Sequence, residues 1–323
     1  MTASQDSRVR VGLIGGGDHA RHALAEAIGC MPEWSIVAAA DPSANARARV
    51  SATLPQARVY DNYETLLSET TGLDLVIIAT PPAASARIAQ SAWINNAAIL
   101  LEKPGALSPS ELDGLQGDRE APVSCAYGYR FHPTVTAFRE RMGHIGKLDR
   151  LELRFHAPLD VTGTWRSSRE TGGGALRDLG AHLLDLAGWL QPAPLSLQHA
   201  NIRSLRSEHD EASLDYNAGP VQVHIRCAYH GAPAFSLTAT GPDGLLRADL
   251  WSMTTPARGA WDAAMSRVRT KLPGELRPAT ALRRSRMNML SAAITHTPAD
   301  AAASIADAAS VLRLIEAAEA STQ

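Results

Sequence analysis

An α/β fold with a second α+β domain is predicted by three features of the sequence. A short strand, Arg8–Ile14, runs into Gly15-Gly16-Gly17 and then into a helical apolar pattern over Asp18–Ile28. Buried strands and amphipathic helices then alternate as far as Tyr127, a rhythm that specifies a doubly wound parallel sheet. Beyond Tyr127, strands with interleaved charges follow one another through short turns, which predicts a mostly antiparallel sheet. The domains are expected at 1–126 and 127–323.

A chain of 323 residues is long enough for two domains with cores of their own. Its 45% hydrophobic and 20% charged residues are ordinary for a globular protein. A formal net charge of -2 gives no reason to expect nucleic acid or an anionic membrane as partner. The polar start MTASQDSRVR lacks a signal-peptide layout, and no uncharged apolar run reaches the ~18 residues of a membrane span, so a cytoplasmic location is expected. Cys30, Cys125 and Cys227 are few and far apart, and imply neither a disulfide framework nor a metal cluster.

Each element of the first half places candidate chemistry at a strand end. The glycine turn reads G-x-G-x-x-A over Gly15, Gly17 and Ala20, with Gly29 as a helix C-cap. Gly15 permits a tight turn, and Gly17 lets a pyrophosphate approach backbone at the positive end of a helix. Gly15, Gly16, Gly17, Asp18 and His19 are therefore candidate dinucleotide contacts. The strand Trp34–Ala40 ends at Asp41, an acid suited to ribose hydroxyls and hostile to a 2′-phosphate, which favours NAD over NADP. Asp41 is also a candidate N-cap ahead of Pro42 at the first helical position. Arg47 and Arg49 lie farther along that helix and are not assigned a role. Arg58–Tyr60 is a short strand before the amphipathic Tyr63-Leu66-Leu67. Leu73–Ala79 is a buried strand ending at Thr80-Pro81-Pro82, a rigid turn where a cofactor edge would lie, and a helix follows over 83–95. Asn96 suits a left-handed cap before the strand Ile99-Leu100-Leu101. That strand delivers Glu102 and Lys103 to its carboxyl end, where open α/β sheets bind ligands, and Pro104 stops it. Ser108-Pro109 opens another helix, and 122–127 is the sixth strand.

In the second half a helix is expected over 133–142, and strands over 147–156, 196–205, 212–216, 221–229, 235–240 and 245–250. Gly241-Pro242-Asp243-Gly244 joins the last two. Between the first strands lies TGGGALRDLGAHLLDLAGWL, residues 171–190, in which Gly172-Gly173-Gly174 allow close backbone approach and a helix starts near Ala175. Asp178 and His182 are four apart and share a helix face, an arrangement that makes a good general base or a structural pair. Two such ligands do not make a metal site.

These motifs together resemble the glucose–fructose oxidoreductase/inositol dehydrogenase/MocA family. The resemblance rests on Gly15-x-Gly17, Glu102-Lys103-Pro104, and Gly172-Gly173-Gly174 with Asp178-x-x-x-His182. The segment Tyr127-Gly128-Tyr129-Arg130-Phe131-His132-Pro133, the pair Trp165-Arg166 and the final helix over 301–320 are similar to it as well. The family implies an N-terminal Rossmann domain, a C-terminal domain with a large open sheet that commonly mediates dimers or tetramers, and a substrate cleft between them. It implies NAD(P)-dependent oxidation of a sugar, cyclitol or sugar nucleotide. Lys103 would hydrogen-bond the substrate oxygen, Asp178 would position substrate or polarise the histidine, and His182 would exchange the hydroxyl proton. Ser85 stands where members often carry a histidine, and Ala20 replaces the third glycine.

The chemistry requires a base for one proton and a positive charge for a developing alkoxide. Histidine is the residue type that titrates near neutrality, so His182 suits the proton. Lysine is a poor base at neutral pH, so Lys103 suits the charge. Tyr129, Arg130 and Trp165 are candidate substrate contacts, with Trp165 offering a flat face to a sugar ring; each also reads as packing. Thr80, Pro81 and Glu102 complete the cofactor set. Arg267, Arg269, Lys271, Arg277, Arg283, Arg284 and Arg286, with Glu275 the only acid, read as a solvated basic face or as a patch for a phosphorylated substrate. Two other functions fit the same motifs: a glycoside hydrolase that uses NAD transiently, and a non-catalytic nucleotide sensor.

Overall fold

The computed structural model describes residues 8–93, 96–117, 120–250, 257–258, 278–295 and 302–322. The chain forms two compact units, one of residues 1–127 with 286–309, the other of 128–285 with 310–323. A single division after 126 therefore does not describe it. Residues 303–304 cross back because their backbone hydrogen-bonds to Ser124 and Cys125 in the first unit's sheet.

The first unit is built on strands β1 (Val9–Ile14), β2 (Trp34–Ala40), β3 (Arg58–Tyr60), β4 (Leu75–Ile78), β5 (Ala98–Leu101) and β6 (Val123–Cys125). Their order is β6-β5-β4-β1-β2-β3, all parallel, with the two-residue strand Ala303–Ser304 antiparallel on β6. Every residue of β4 and β5 is buried, as expected of strands covered on both faces. The order reverses between β1 and β4, and the glycine turn follows β1 at this switch point. Helices α1 (Ala25–Gly29), α2 (Ala44–Thr53), α3 (Tyr63–Glu69), α4 (Pro82–Ala92) and α5 (Ser110–Asp113) alternate with the strands. Asn96 has φ 50°, the left-handed conformation its position requires.

Three local expectations are corrected. The helix after the glycine turn begins with a π-helical turn, Ala20–Leu24, and Gly29 is its last helical residue, capped by Cys30. Asp41 does not cap α2; Ser43 does, accepting from the Ala46 amide at 3.3 Å. The final helix starts at Ile305 because residues 303–304 are spent on the sheet.

The second unit carries β7 (Arg150–His156), β8 (Ser196–Arg203), β9 (Glu211–Ala218), β10 (Val221–Ala228), β11 (Ala234–Gly241), β12 (Gly244–Asp249) and β13 (Ala257–Arg258). The order is β13-β12-β11-β7-β10-β9-β8, antiparallel throughout except for β7 beside β10. Alternation decides its faces: Leu151, Leu153 and Phe155 are buried, whereas Arg150, Glu152 and Arg154 are exposed. Helices α6 (Pro133–Arg141) and α7 (Ala181–Leu190) belong to this unit. Residues of α8 (Pro278–Ala293) and α9 (Ile305–Ala320) are divided between the units. Of the basic stretch, Arg267, Arg269, Lys271, Arg277 and Glu275 lie outside the described residues, while Arg283, Arg284 and Arg286 lie on α8. Among the described residues, no helix is long and apolar enough to cross a membrane.

Candidate functional site

The first unit gathers three strand ends. Gly15 has φ 102°, and a Cβ there would lie 2.5 Å from the Ala79 carbonyl oxygen, so only glycine lets the turn pass the end of β4. Gly16 is held by its neighbours: its amide donates to Asp41 Oδ2 at 2.7 Å, and a Cβ would meet Val50 at 2.8 Å. Gly17 differs, because a Cβ there would meet nothing within 4 Å. Arg21, in the π-helical turn, donates from Nε to the Gly16 carbonyl at 3.3 Å and from a terminal nitrogen to Asp18. The turn is thus locked from behind and open at Gly17. A glycine-rich turn of this shape at a strand-to-helix junction fits a dinucleotide pyrophosphate.

Asp41 does structural work at the same place. Beyond its bond to Gly16, its Oδ1 accepts from the Ser43 amide at 2.8 Å. Arg47, left unassigned by sequence, donates to the carbonyls of Asp41 at 3.0 Å and Pro42 at 2.9 Å. A guanidinium therefore sits beside the acid expected to select NAD. Ser85, in place of the family's histidine, closes the Thr80-Pro81 turn. Its hydroxyl donates to the Thr80 and Pro81 carbonyls, each at 3.2 Å, and lies 3.0 Å from Thr80 Oγ1.

The end of β5 is tied to the glycine turn. His19 Nε2 lies 3.0 Å from Glu102 Oε1, joining two motifs that are 83 residues apart. Burial pushes the Glu102 carboxyl up, but the pull of His19, its hydrogen bond and Lys103 outweigh it, and the net shift is downward. Lys103 follows, partly exposed, and its bond to Pro104 is cis.

In the second unit the triple glycine serves packing. A Cβ on Gly173 would fall 2.5 Å from both the carbonyl carbon and oxygen of Arg166 and 2.6 Å from the Trp165 oxygen. The amides of Gly173, Gly174 and Ala175 donate to the carbonyls of Ser168, Arg166 and His209 at 2.8, 2.9 and 2.8 Å. The helix expected from Ala175 begins with a π-helical turn, Leu176–Gly180, which carries Asp178; His182 lies on α7 beyond it. Single π-helical turns of this kind are frequent at functional sites.

Asp178 is buried, and its Oδ2 accepts from Arg166 Nε at 2.9 Å and from the Tyr229 hydroxyl at 3.1 Å. Burial, then the Asp178 charge, hold the Tyr229 hydroxyl protonated well above the usual phenol range. The His182 ring meets Tyr129 edge-on, with centroids 4.7 Å apart at 80°. Tyr129 also stands edge-on to Phe235 at 4.6 Å, and Phe235 stacks on Phe155 at 4.2 Å. The imidazole thus lies against aromatic side chains. Arg130 is committed elsewhere, forming a buried fork with Asp185 at 3.1, 3.0 and 2.5 Å. One face of Trp165 is covered by the Arg166 guanidinium at 4.6 Å, so it is not freely available to a sugar ring. Tyr229, Phe155 and Phe235 were missed by sequence reasoning; only the inward alternation of their strands hints at them.

A doubly wound sheet with an open glycine turn and a second, mostly antiparallel unit defines the class of two-domain, nicotinamide-binding oxidoreductases. The chain belongs to the GFO/IDH/MocA family: residues 9–119 match its oxidoreductase, NAD-binding Rossmann model, and residues 140–246 match its C-terminal domain model. It is 29% identical over 202 residues to a putative UDP-kanosamine synthase oxidoreductase subunit of Amycolatopsis mediterranei, covering 60% of this chain and 53% of that protein. The chain spans about half the length of the curated relatives it matches. The fold is similar to the WlbA dehydrogenase of Bordetella pertussis in complex with NADH and UDP-GlcNAcA. There the TM-score is 0.79 at 16% identity, over 99% of this chain and 96% of that one. It is also similar to a 3-ketoreductase of Actinomadura kijaniata in complex with NADP and TDP-benzene, with a TM-score of 0.70 at 19% identity, over 86% and 95%.

Proposed function

We propose that this chain is an NAD(P)-dependent dehydrogenase acting on CH–OH groups. It moves a hydride between nicotinamide and a secondary alcohol of a sugar, cyclitol or sugar nucleotide. The observation that carries this reading is the His19–Glu102 contact at 3.0 Å, which joins the open glycine turn to the strand end bearing Lys103. Dinucleotide and catalytic cation then belong to one corner of one sheet. The UDP-GlcNAcA held by the similar WlbA dehydrogenase supports the substrate class.

When bound, the nicotinamide supplies the hydride chemistry. The chain supplies the rest. Gly15, Gly16, Gly17, Asp18, His19, Asp41, Thr80, Pro81 and Glu102 hold the dinucleotide in this reading. NAD is the preferred form, with Arg47 making NADP a real competitor. Lys103 presents an ammonium to the substrate oxygen and stabilises the charge that grows there. His182 accepts the hydroxyl proton, and Asp178, fixed by Arg166 and Tyr229, positions the substrate beside it. Tyr129 and the part of Trp165 that Arg166 leaves uncovered line the substrate in this reading. The reading carries with it a small polyhydroxylated partner, a cytoplasmic setting and a homodimer or homotetramer.

The test is Lys103→Met, assayed by absorbance of reduced nicotinamide across polyols, cyclitols and sugar nucleotides. The wild type should turn over at least one of them, and the variant should lose about 10²–10³-fold in kcat while still binding NADH. Undiminished turnover in the variant would end the assignment. Product without net NADH would point to the hydrolase, and cofactor binding without turnover to a sensor.

A further inference from the structure

We propose that Arg166 receives an anionic oxygen group of the substrate, a carboxylate or a phosphate, on the edge formed by its two terminal amino groups. This deepens the dehydrogenase reading and rests on it. The sequence offered Arg130 as one candidate substrate contact, but Arg130 gives Nε and a terminal nitrogen to Asp185, and only 12% of its side chain is exposed. Arg177 is spent in the same way on Glu319 at 2.9 and 2.8 Å. Arg166 donates only Nε, to Asp178, and 35% of its side chain is exposed. Among the described residues its terminal nitrogens have no hydrogen-bond partner. A guanidinium has two donor edges, and the end-on edge fits the paired oxygens of a carboxylate or phosphate.

The local structure holds that edge in place before a ligand arrives. Trp165 covers the guanidinium face at 4.6 Å, and Asp178 fixes its Nε side. The backbone beneath is fastened by the triple glycine: the Gly174 amide donates to the Arg166 carbonyl at 2.9 Å, and the Thr171 hydroxyl to the Trp165 carbonyl at 2.7 Å. Gly173 allows that approach, since a Cβ would stand 2.5 Å from the Arg166 carbonyl. This explains why a glycine run precedes Asp178 although its amides are consumed by protein carbonyls. It anchors the turn that presents Arg166. Asp178 takes only the Nε–H, so the donors of the two terminal amino groups remain for a ligand.

The experiment is calorimetric titration of the full chain, loaded with NAD+, with D-glucuronate, D-glucose 6-phosphate and neutral D-glucose. At least one anion should bind about tenfold or more tightly than glucose, and the better anion tells carboxylate from phosphate. Arg166→Gln, which keeps a donor for Asp178 but no charge, should weaken the anion about tenfold more than it weakens glucose. Anions bound no better than glucose, including no binding of any of the three, would overturn the proposal. So would equal weakening of all three in the variant, which would make Arg166 only a clamp for Asp178. Failure of the wild type to bind NAD+ in a separate titration would instead sink the dehydrogenase reading.

Discussion

Each unit has a glycine run that leads through a single π-helical turn into an α-helix, yet the two runs use glycine for opposite ends. At Gly15–Gly17 the last glycine leaves space, since a side chain there would touch nothing within 4 Å. At Gly173 and Gly174 there is no space to leave: Gly173 abuts the backbone of Trp165 and Arg166, and Gly174 lies 3.0 Å, in Cβ terms, from His209. In the proposed reading the first run withholds a side chain so that a ligand can approach. The second does so for the protein's own chain. Identical composition therefore carries no fixed meaning, and what lies opposite each Cα position decides it.

The sharpest way to break this contrast is Gly173→Ala. The new methyl would overlap three backbone atoms at 2.5–2.6 Å, and backbone cannot swing aside as a flexible side chain can. Overpacking of this kind costs about 3 kcal/mol, at the upper end of the usual range. Urea unfolding should show that loss. A variant as stable as the wild type would mean that the Trp165–Arg166 turn is not fastened as described.

The fold was largely legible because its strands announce themselves: Leu75–Ile78 and Ala98–Leu101 are unbroken apolar runs, and Leu151, Leu153 and Phe155 alternate with charges. Lys103 and the glycine turn were legible for the same reason, as each follows directly from a strand. The π-helical turns were not, because one inserted residue moves an apolar stripe too little for a periodicity reading to register. Nor was the strand Ala303–Ser304, since two residues carry no pattern. The partners of Asp178 were illegible for a different reason. Tyr229 is 51 residues away in sequence, and only the register of β10 brings its neighbourhood to the π-helical turn. Arg130–Asp185, 55 residues apart, is hidden in the same way.

Two histidines extend the contrast between open and packed regions, and pH is the means of testing it. His19, beside the open turn, has 49% of its side chain exposed, whereas His132 is 1% exposed and caps α6 by accepting from the Thr134 amide at 3.2 Å. Burial pulls the His132 imidazole down from 6.5 to about 4. Between those values the unfolded chain binds a proton that the folded chain does not, so stability falls as pH falls through this window. From about pH 7 to about pH 5 the loss should be about 2 kcal/mol. His132→Asn keeps a side-chain acceptor for the cap and removes the titration, so its stability should vary less with pH by that amount. Parallel pH profiles for the two proteins would show that His132 is protonated in the fold.

The smallest expected effect divides the first glycine run within itself. Gly15→Ala meets a carbonyl at 2.5 Å and a φ of 102°, so it should behave like Gly173→Ala and unfold early. Gly17→Ala meets nothing, and its φ is not in the left-handed range, so its melting temperature should match or slightly exceed that of the wild type. Its cost should appear only with the dinucleotide, where the added methyl occupies the approach path of the pyrophosphate. NADH titration should show about tenfold weaker binding, about 1.4 kcal/mol, in a protein that folds normally. If the alanine at 17 instead cost stability and spared NADH, the space at that position would belong to the fold, and both runs would be packing devices.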